Sequence, residues 1–165
     1  MRVYLPTTST GLRRLHDSGA IGAPPFTAFA VTPGLREWYV DDDIDELEYA
    51  AMTEAARASL RLLDGDPDAL RRRVVIALDA PDGAVEVRDD LDRGVVRLAG
   101  PIALTHVASF HVDDAAAESA VAAAVAAITA ADLGERSAQD AVDDAEGYEL
   151  CWYAGQELQT LVTGA

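Results

Sequence analysis

Val74-Val75-Ile76-Ala77-Leu78 is an unbroken apolar run, with Arg71-Arg72-Arg73 before it and Asp79 after it. Successive side chains of a strand point to opposite faces, so a strand without polar residues has cover on both faces. That reading asks for helices on either side of a sheet. One of them is visible upstream. Ile44, Leu47, Ala51, Ala55, Ala58 and Leu62 recur at steps of three and four residues, the spacing of one helix face. Asp43 with Glu46 fits a capping box, with aspartate at the N-cap. Asp64-Gly65-Asp66-Pro67 ends the helix, with Gly65 expected in the left-handed cap and proline beyond it.

Weaker signals place the other elements. Arg2–Leu5 reads as a first strand stopped by Pro6. Thr7–Gly11 is a hydroxyl-rich turn into a short helix through about Asp17. Phe26–Val31 is a second strand. Thr32-Pro33 follows as an N-cap threonine and a first-turn proline. Val85–Arg88 and Val95–Leu98 form a hairpin around Asp92-Arg93-Gly94. Leu104–Val112 reads as one long strand. Asp113-Asp114 then opens an alanine-rich helix whose bulky stripe is Val121, Val125 and Ile128. Gly134 breaks it. A second amphipathic helix follows through Ala138, Ala141, Val142 and Ala145. Tyr148–Tyr153 is the last strand and Ala154–Val162 the closing helix. The expected fold is one α/β domain over residues 1–165. It has a mixed sheet of about five to six strands with helices on both faces, and a two-layer α+β sandwich is the alternative.

Composition narrows the chemistry. The chain has 165 residues, 13 basic and 29 acidic, for a net charge of −16. Every basic residue is arginine; lysine and asparagine are absent. A GC-rich genome accounts for that bias. A P-loop, a pyridoxal phosphate Schiff base and a protein kinase each need a lysine, so all three are excluded. The single cysteine, Cys151, excludes an internal disulfide and cysteine-rich metal sites. No nucleophile elbow, zincin helix or dinucleotide fingerprint occurs. The sequence pI of about 4.3 opposes nucleic-acid phosphates, and the arginine triplet reads as a solvated strand entrance. Ala115–Ala131 is too short and too alanine-rich for a bilayer span. The first residues lack an apolar signal core. The expectation is a cytoplasmic protein with no nucleic-acid or membrane partner and no cofactor.

Several stretches carry a resemblance. They are Met1–Thr8, Ala28–Pro33, Leu47–Leu60, His111-Val-Asp-Asp114 and Cys151-Trp-Tyr-Ala-Gly-Gln-Glu157. Together they resemble a family of short, uncharacterised actinobacterial proteins, a domain of unknown function. The resemblance implies a bacterial, cytoplasmic, single-domain protein. It carries over no activity, ligand or catalytic residue.

Ligands of open α/β sheets gather at the carboxyl ends of strands. The expected ends carry Thr7, Thr8, Ser9 and Thr10, then Asp79 and Asp113. The Thr7–Gly11 loop, with Arg13 and Arg14 on the helix after it, suits an anion held by backbone amides and hydroxyls. The plainer reading is that one hydroxyl caps the helix. If the loop held a phosphate, Asp79, Asp113 or Asp114 would be placed to share magnesium with it. Asp64-x-Asp66-x-Asp68 fails as a calcium loop, with Ala69 and Val75 at the sixth and twelfth positions. Asp41-Asp42-Asp43 with Asp45 reads as helix-start acidity. His106 and His111, five apart on one expected strand, face opposite ways, which opposes a shared metal ion. On that reading His106 is a core histidine, and His111 shares its face with Ser109. A Cys151–His111 nucleophile pair is weighed against an inert buried thiol, and the inert thiol is favoured. No metal site is assigned. Trp38-Tyr39 and Trp152-Tyr153 are candidate interface aromatics, since neighbours on a strand point opposite ways.

Two readings of function follow. The first is a non-catalytic binding or regulatory module, acting through a protein partner or a homo-oligomer. The second is a small enzyme or ligand binder that uses the hydroxyl-rich loop for a phosphate-like anion.

Overall fold

A computed structural model describes residues 1–164. Its seven strands form one sheet, ordered β4-β5-β2-β1-β3-β6-β7. They are β1 (Arg2–Thr7), β2 (Phe26–Ala30), β3 (Val74–Asp79), β4 (Val85–Val87), β5 (Val95–Leu98), β6 (Val107–Val112) and β7 (Cys151–Ala154). Every pairing is antiparallel. The expected mixed sheet of about five to six strands is corrected on both counts. Helices do cover both faces, as the β3 run requires.

The two faces follow from the register. Val3 and Leu5 on β1 lie beside Leu78 and Ile76 on β3, with Phe110 and Val112 next in line on β6. This face packs on α1 (Ser9–Ser18) and α6 (Leu158–Thr163) through Leu12, Leu15, Leu158 and Val162. Phe110 is fully buried there, worth about 2–3 kcal/mol of apolar burial. Tyr4, Val75 and Ala77 point the other way, under Leu47, Ala51 and Ala55 of α3 (Ile44–Asp64). The far end of α3 also holds Leu60 and Leu63 against a hairpin of α4 (Glu118–Asp132) and α5 (Arg136–Glu146). Val121, Val125 and Ile128 are buried in that contact. The helical stretch Ala115–Asp132 is, against expectation, long and apolar enough to cross a bilayer. Its stripe is nevertheless spent on α3 and α5.

Local chemistry explains most boundaries. Thr8 accepts a hydrogen bond from Gly11 N and caps α1. Thr32 accepts from Leu35 N and caps α2 (Pro33–Trp38), with Pro33 in its first turn. Asp43 caps α3 by accepting from Asp45 N. Gly65 ends α3 at φ −88°, so the expected left-handed cap is not used there. Gly94 (φ +82°) does adopt it, in the turn between β4 and β5.

Three further expectations are corrected. β1 runs through Pro6, which lies past the last β1–β2 pair and faces Val75 alone. Leu104–His106 is a 3₁₀ turn rather than strand, because β3 supplies no partner beyond the Leu78–Val107 pair. His106 is therefore exposed, not a core histidine. The last strand begins at Cys151, after an irregular Gly147–Leu150.

Candidate functional site

A cleft of about 590 Å³ opens at the end of β1. Thr7, Thr8, Thr10, Gly11 and Arg14 line one wall. Three of the four loop hydroxyl residues named from sequence thus meet in a single concavity. The opposite wall is apolar: Ile21, Phe26, Phe29 and Leu62. Arg61 and Asp66 close it from the α3 side.

The hydroxyls have different employments. Thr8 is the helix cap. Ser9 Oγ faces away and accepts from Leu70 N at 2.9 Å. Ser59 Oγ donates to the Thr7 carbonyl at 2.7 Å and accepts from Val74 N, pinning the loop to β3. Thr7 is 4 % exposed, and its Oγ1 has no hydrogen-bond partner among the described residues. Every fully enclosed side-chain polar atom of the described residues is paired, so this oxygen opens onto the cleft. It sits where a Cβ on Gly11 would be, 1.9 Å from that position. Only glycine at residue 11 leaves the hydroxyl this seat.

Charge in the cleft comes from two arginines. Arg61 is held by Asp132, Nε at 2.7 Å and Nη2 at 3.0 Å from its carboxylate oxygens. That hydrogen bond, ahead of the attraction between the charges, keeps the Asp132 carboxyl below the usual range. Arg14 makes no ion pair among the described residues. Arg13, its neighbour, turns away and donates to the Val162 carbonyl at 3.3 Å, tying α1 to α6.

A family model described as a family of unknown function, DUF6912, matches residues 1–162. The chain belongs to this family. No curated protein and no solved structure matches it. The site of this DUF6912 chain therefore has to be read from its own geometry.

That geometry separates the remaining candidates from the cleft. β3 runs antiparallel to β1, so Asp79 lies at the opposite end of the sheet from Thr7, opposite Arg2. Arg2 Nε donates to it at 2.7 Å, and this bond lowers its pKa. Asp113 is at the Thr7 end but is consumed. Its Oδ2 accepts from Arg73 N and Nε, and its Oδ1 from Arg73 Nη2, each at 2.8 Å. Asp114 caps the next turn by accepting from Ala116 N. The shared magnesium expectation falls with these positions. Among the described residues no group of three or more His, Cys, Asp and Glu side chains converges.

His111 lies on the α3 face of β6, between Val75 and Trp152. Its Nε2 is 2.9 Å from Ser109 Oγ. Burial, then the charge of Arg2, pushes its pKa down, which favours the neutral ring. Cys151 pairs with Val112, one residue along, so it faces the other side of the sheet. A Cys151–His111 nucleophile pair is thereby excluded.

The aromatic pairs divide as well. Trp38 ends a helix rather than lying on a strand, and Arg93 stacks 3.6 Å from its ring centroid. Tyr39 is exposed beside it. Trp152 is 63 % exposed on edge strand β7, while Tyr153 packs into the α1–α6 core. Sequence reading missed Arg61, Phe26 and Phe29 as cleft residues. Phe26 and Phe29 bracket Thr27-Ala28 out of strand phase, the one local sign of residues serving something besides a sheet face.

Proposed function

We propose that this protein is a non-catalytic binding module whose seat is the cleft at the end of β1, and that its ligand is a small organic anion of phosphate-like chemistry. The observation that carries this is the shielded, unpartnered Thr7 hydroxyl beside the unpaired Arg14. The hydroxyl opens onto the cleft with no protein partner among the described residues, so it is free to bond a ligand oxygen. The apolar wall of Phe26, Phe29 and Leu62 suits a flat or aliphatic body on the ligand. Asp66 offers an acceptor for the ligand's own donors. Among the described residues the cleft pairs hydroxyls and arginines with an apolar wall, an arrangement that suits holding an anion. The lysine-free composition and the resemblance noted above support an actinobacterial, cytoplasmic origin.

Calorimetric titration with inorganic phosphate, phenyl phosphate and adenosine monophosphate tests this. The organic phosphates are expected to bind more tightly than phosphate alone. Arg14→Ala and Thr7→Ala should each weaken binding about tenfold, and Thr7→Ser should restore it. Equal affinity for all variants would refute the seat.

Self-association is the second reading, favoured by the exposed Trp152 on an edge strand. Against it, Glu157 Oε2 accepts from Ala154 N at 2.7 Å, placing a charge and a filled donor on β7. Light scattering on the wild type and Trp152→Ala separates the two: a dimer lost on substitution supports this reading, and a monomer in both removes it.

A further inference from the structure

A second pocket, sharing no residue with the cleft, lies where α3, the end of α5 and the approach to β7 meet. It holds about 250 Å³, and its walls are Tyr49, Met52, Tyr148 and Leu150. At its base is Arg73, whose side chain is 3 % exposed. Nε and one hydrogen of Nη2 serve Asp113, and Nη2 also donates to the Tyr148 carbonyl at 2.7 Å. Nη1 has no partner. No fully enclosed polar atom among the described residues is unpaired, so Nη1 keeps an opening, and this pocket is the one that Arg73 lines. Glu146, half-buried at the C-terminal end of α5, lines the same space and makes no ion pair. Burial raises its pKa; Arg57 and Arg73 act against that, while Asp143 and Glu54 add to it.

These groups select by charge. Asp113 already neutralises the Arg73 guanidinium, so Nη1 offers directed donors more than net positive charge. Glu146 and Glu149 at the rim repel a simple carboxylate. A simple amine leaves Nη1 unused. A molecule carrying both groups on one small carbon frame satisfies both ends, and the aromatic and thioether walls take an aliphatic side chain. The volume suits a molecule of amino-acid size rather than a nucleotide.

We propose that this pocket binds a small α-amino-acid zwitterion with an apolar side chain, its carboxylate on Arg73 Nη1, its ammonium on Glu146, and its side chain against Tyr49, Met52 and Leu150.

The test is a calorimetric titration of the full chain with L-leucine, 3-methylbutylamine, which lacks the carboxylate, and 4-methylpentanoate, which lacks the amine. Leucine is expected to bind at least about tenfold more tightly than either truncated probe. Glu146→Gln should weaken leucine at least about tenfold and leave 4-methylpentanoate unchanged or tighter. Tyr49→Ala, on an exposed position of α3, should weaken leucine and 3-methylbutylamine alike. Thermal midpoints close to the wild type are required of both variants, as the check that each is folded. Leucine no tighter than either probe, no leucine binding at about 10 mM, or full leucine affinity in Glu146→Gln would each overturn the assignment. Phosphate binding at the β1 cleft is independent of all three outcomes.

Discussion

Arg73 and Asp113 form a two-pronged ion pair with both side chains shielded from water, 3 % and 0 % exposed, joining the start of β3 to the end of β6. Removing one member leaves a buried, uncompensated charge, which typically costs about 3–5 kcal/mol. Asp113→Ala is therefore expected to lower the urea midpoint sharply. Replacing both by apolar residues of similar size, Arg73→Met with Asp113→Leu, should recover most of the loss. Urea unfolding of the three proteins checks this; a single variant as stable as the wild type would show the pair to be solvent-screened.

Gly11 and Thr7 make the opposite case to a standard helix argument. Alanine is favoured over glycine within helices by about 1 kcal/mol, so Gly11→Ala alone predicts a gain. A Cβ there would lie 1.9 Å from Thr7 Oγ1. The expected result is instead a loss of about 1–3 kcal/mol from overpacking. Adding Thr7→Ala should relieve the clash, giving strong non-additivity in a double-mutant cycle. Additive losses would mean that Thr7 can rotate away at little cost.

Asp89 couples α2 to the β4–β5 hairpin. It accepts from Thr32 Oγ1 at 2.5 Å, Gly34 N at 2.9 Å and Gly94 N at 3.0 Å. Burial pushes its pKa up, but these three bonds outweigh burial and hold it below the usual value. A carboxyl with a depressed folded pKa lends its full stability above the unfolded pKa, about 3.9, and loses it as pH falls through the folded value. The Asp89 contribution should thus be constant at neutral pH and fall away below about pH 4. Asp89→Asn should cost about 1–3 kcal/mol at neutral pH and flatten the acid slope. Denaturant midpoints across that range measure both; an unchanged slope in the variant would remove Asp89 as a contributor.

The legible parts of the fold were those set by nearby residues. The α3 span, the Thr32-Pro33 start, the hairpin around Gly94 and the doubly apolar β3 all follow from periodicity and turn chemistry within a few residues. Of the expected α3 face, Leu47, Ala51 and Ala55 are buried, while Ile44 and Leu62 are exposed and Leu60 and Leu63 are buried in their stead. Strand direction does not follow from such local patterns. Whether Asp79 and Thr7 share one end depends on β1 pairing with β3 across some seventy positions, which no local pattern records. Asp113 and Asp114 read alike as helix-start acids. Only Arg73, forty positions away, makes one a buried partner and the other a cap. Leu104–His106 shows the same limit: its apolar pattern fits a strand, but no neighbouring strand reaches it. At the cleft, the hydroxyl loop was visible because it is contiguous. Which of its two neighbouring arginines lines the cleft was not, because the docking of α6 on Arg13 leaves that place to Arg14.

The β1 cleft is the seat proposed for an organic phosphate-like anion. Backbone amide spectra of the labelled protein, titrated with phenyl phosphate, test it residue by residue. Saturable shifts are expected at Thr7–Arg14, Phe26–Phe29 and the Arg61–Asp66 end of α3 and nowhere else, abolished by Arg14→Ala. Shifts centred elsewhere, or none at about 10 mM ligand, would contradict it.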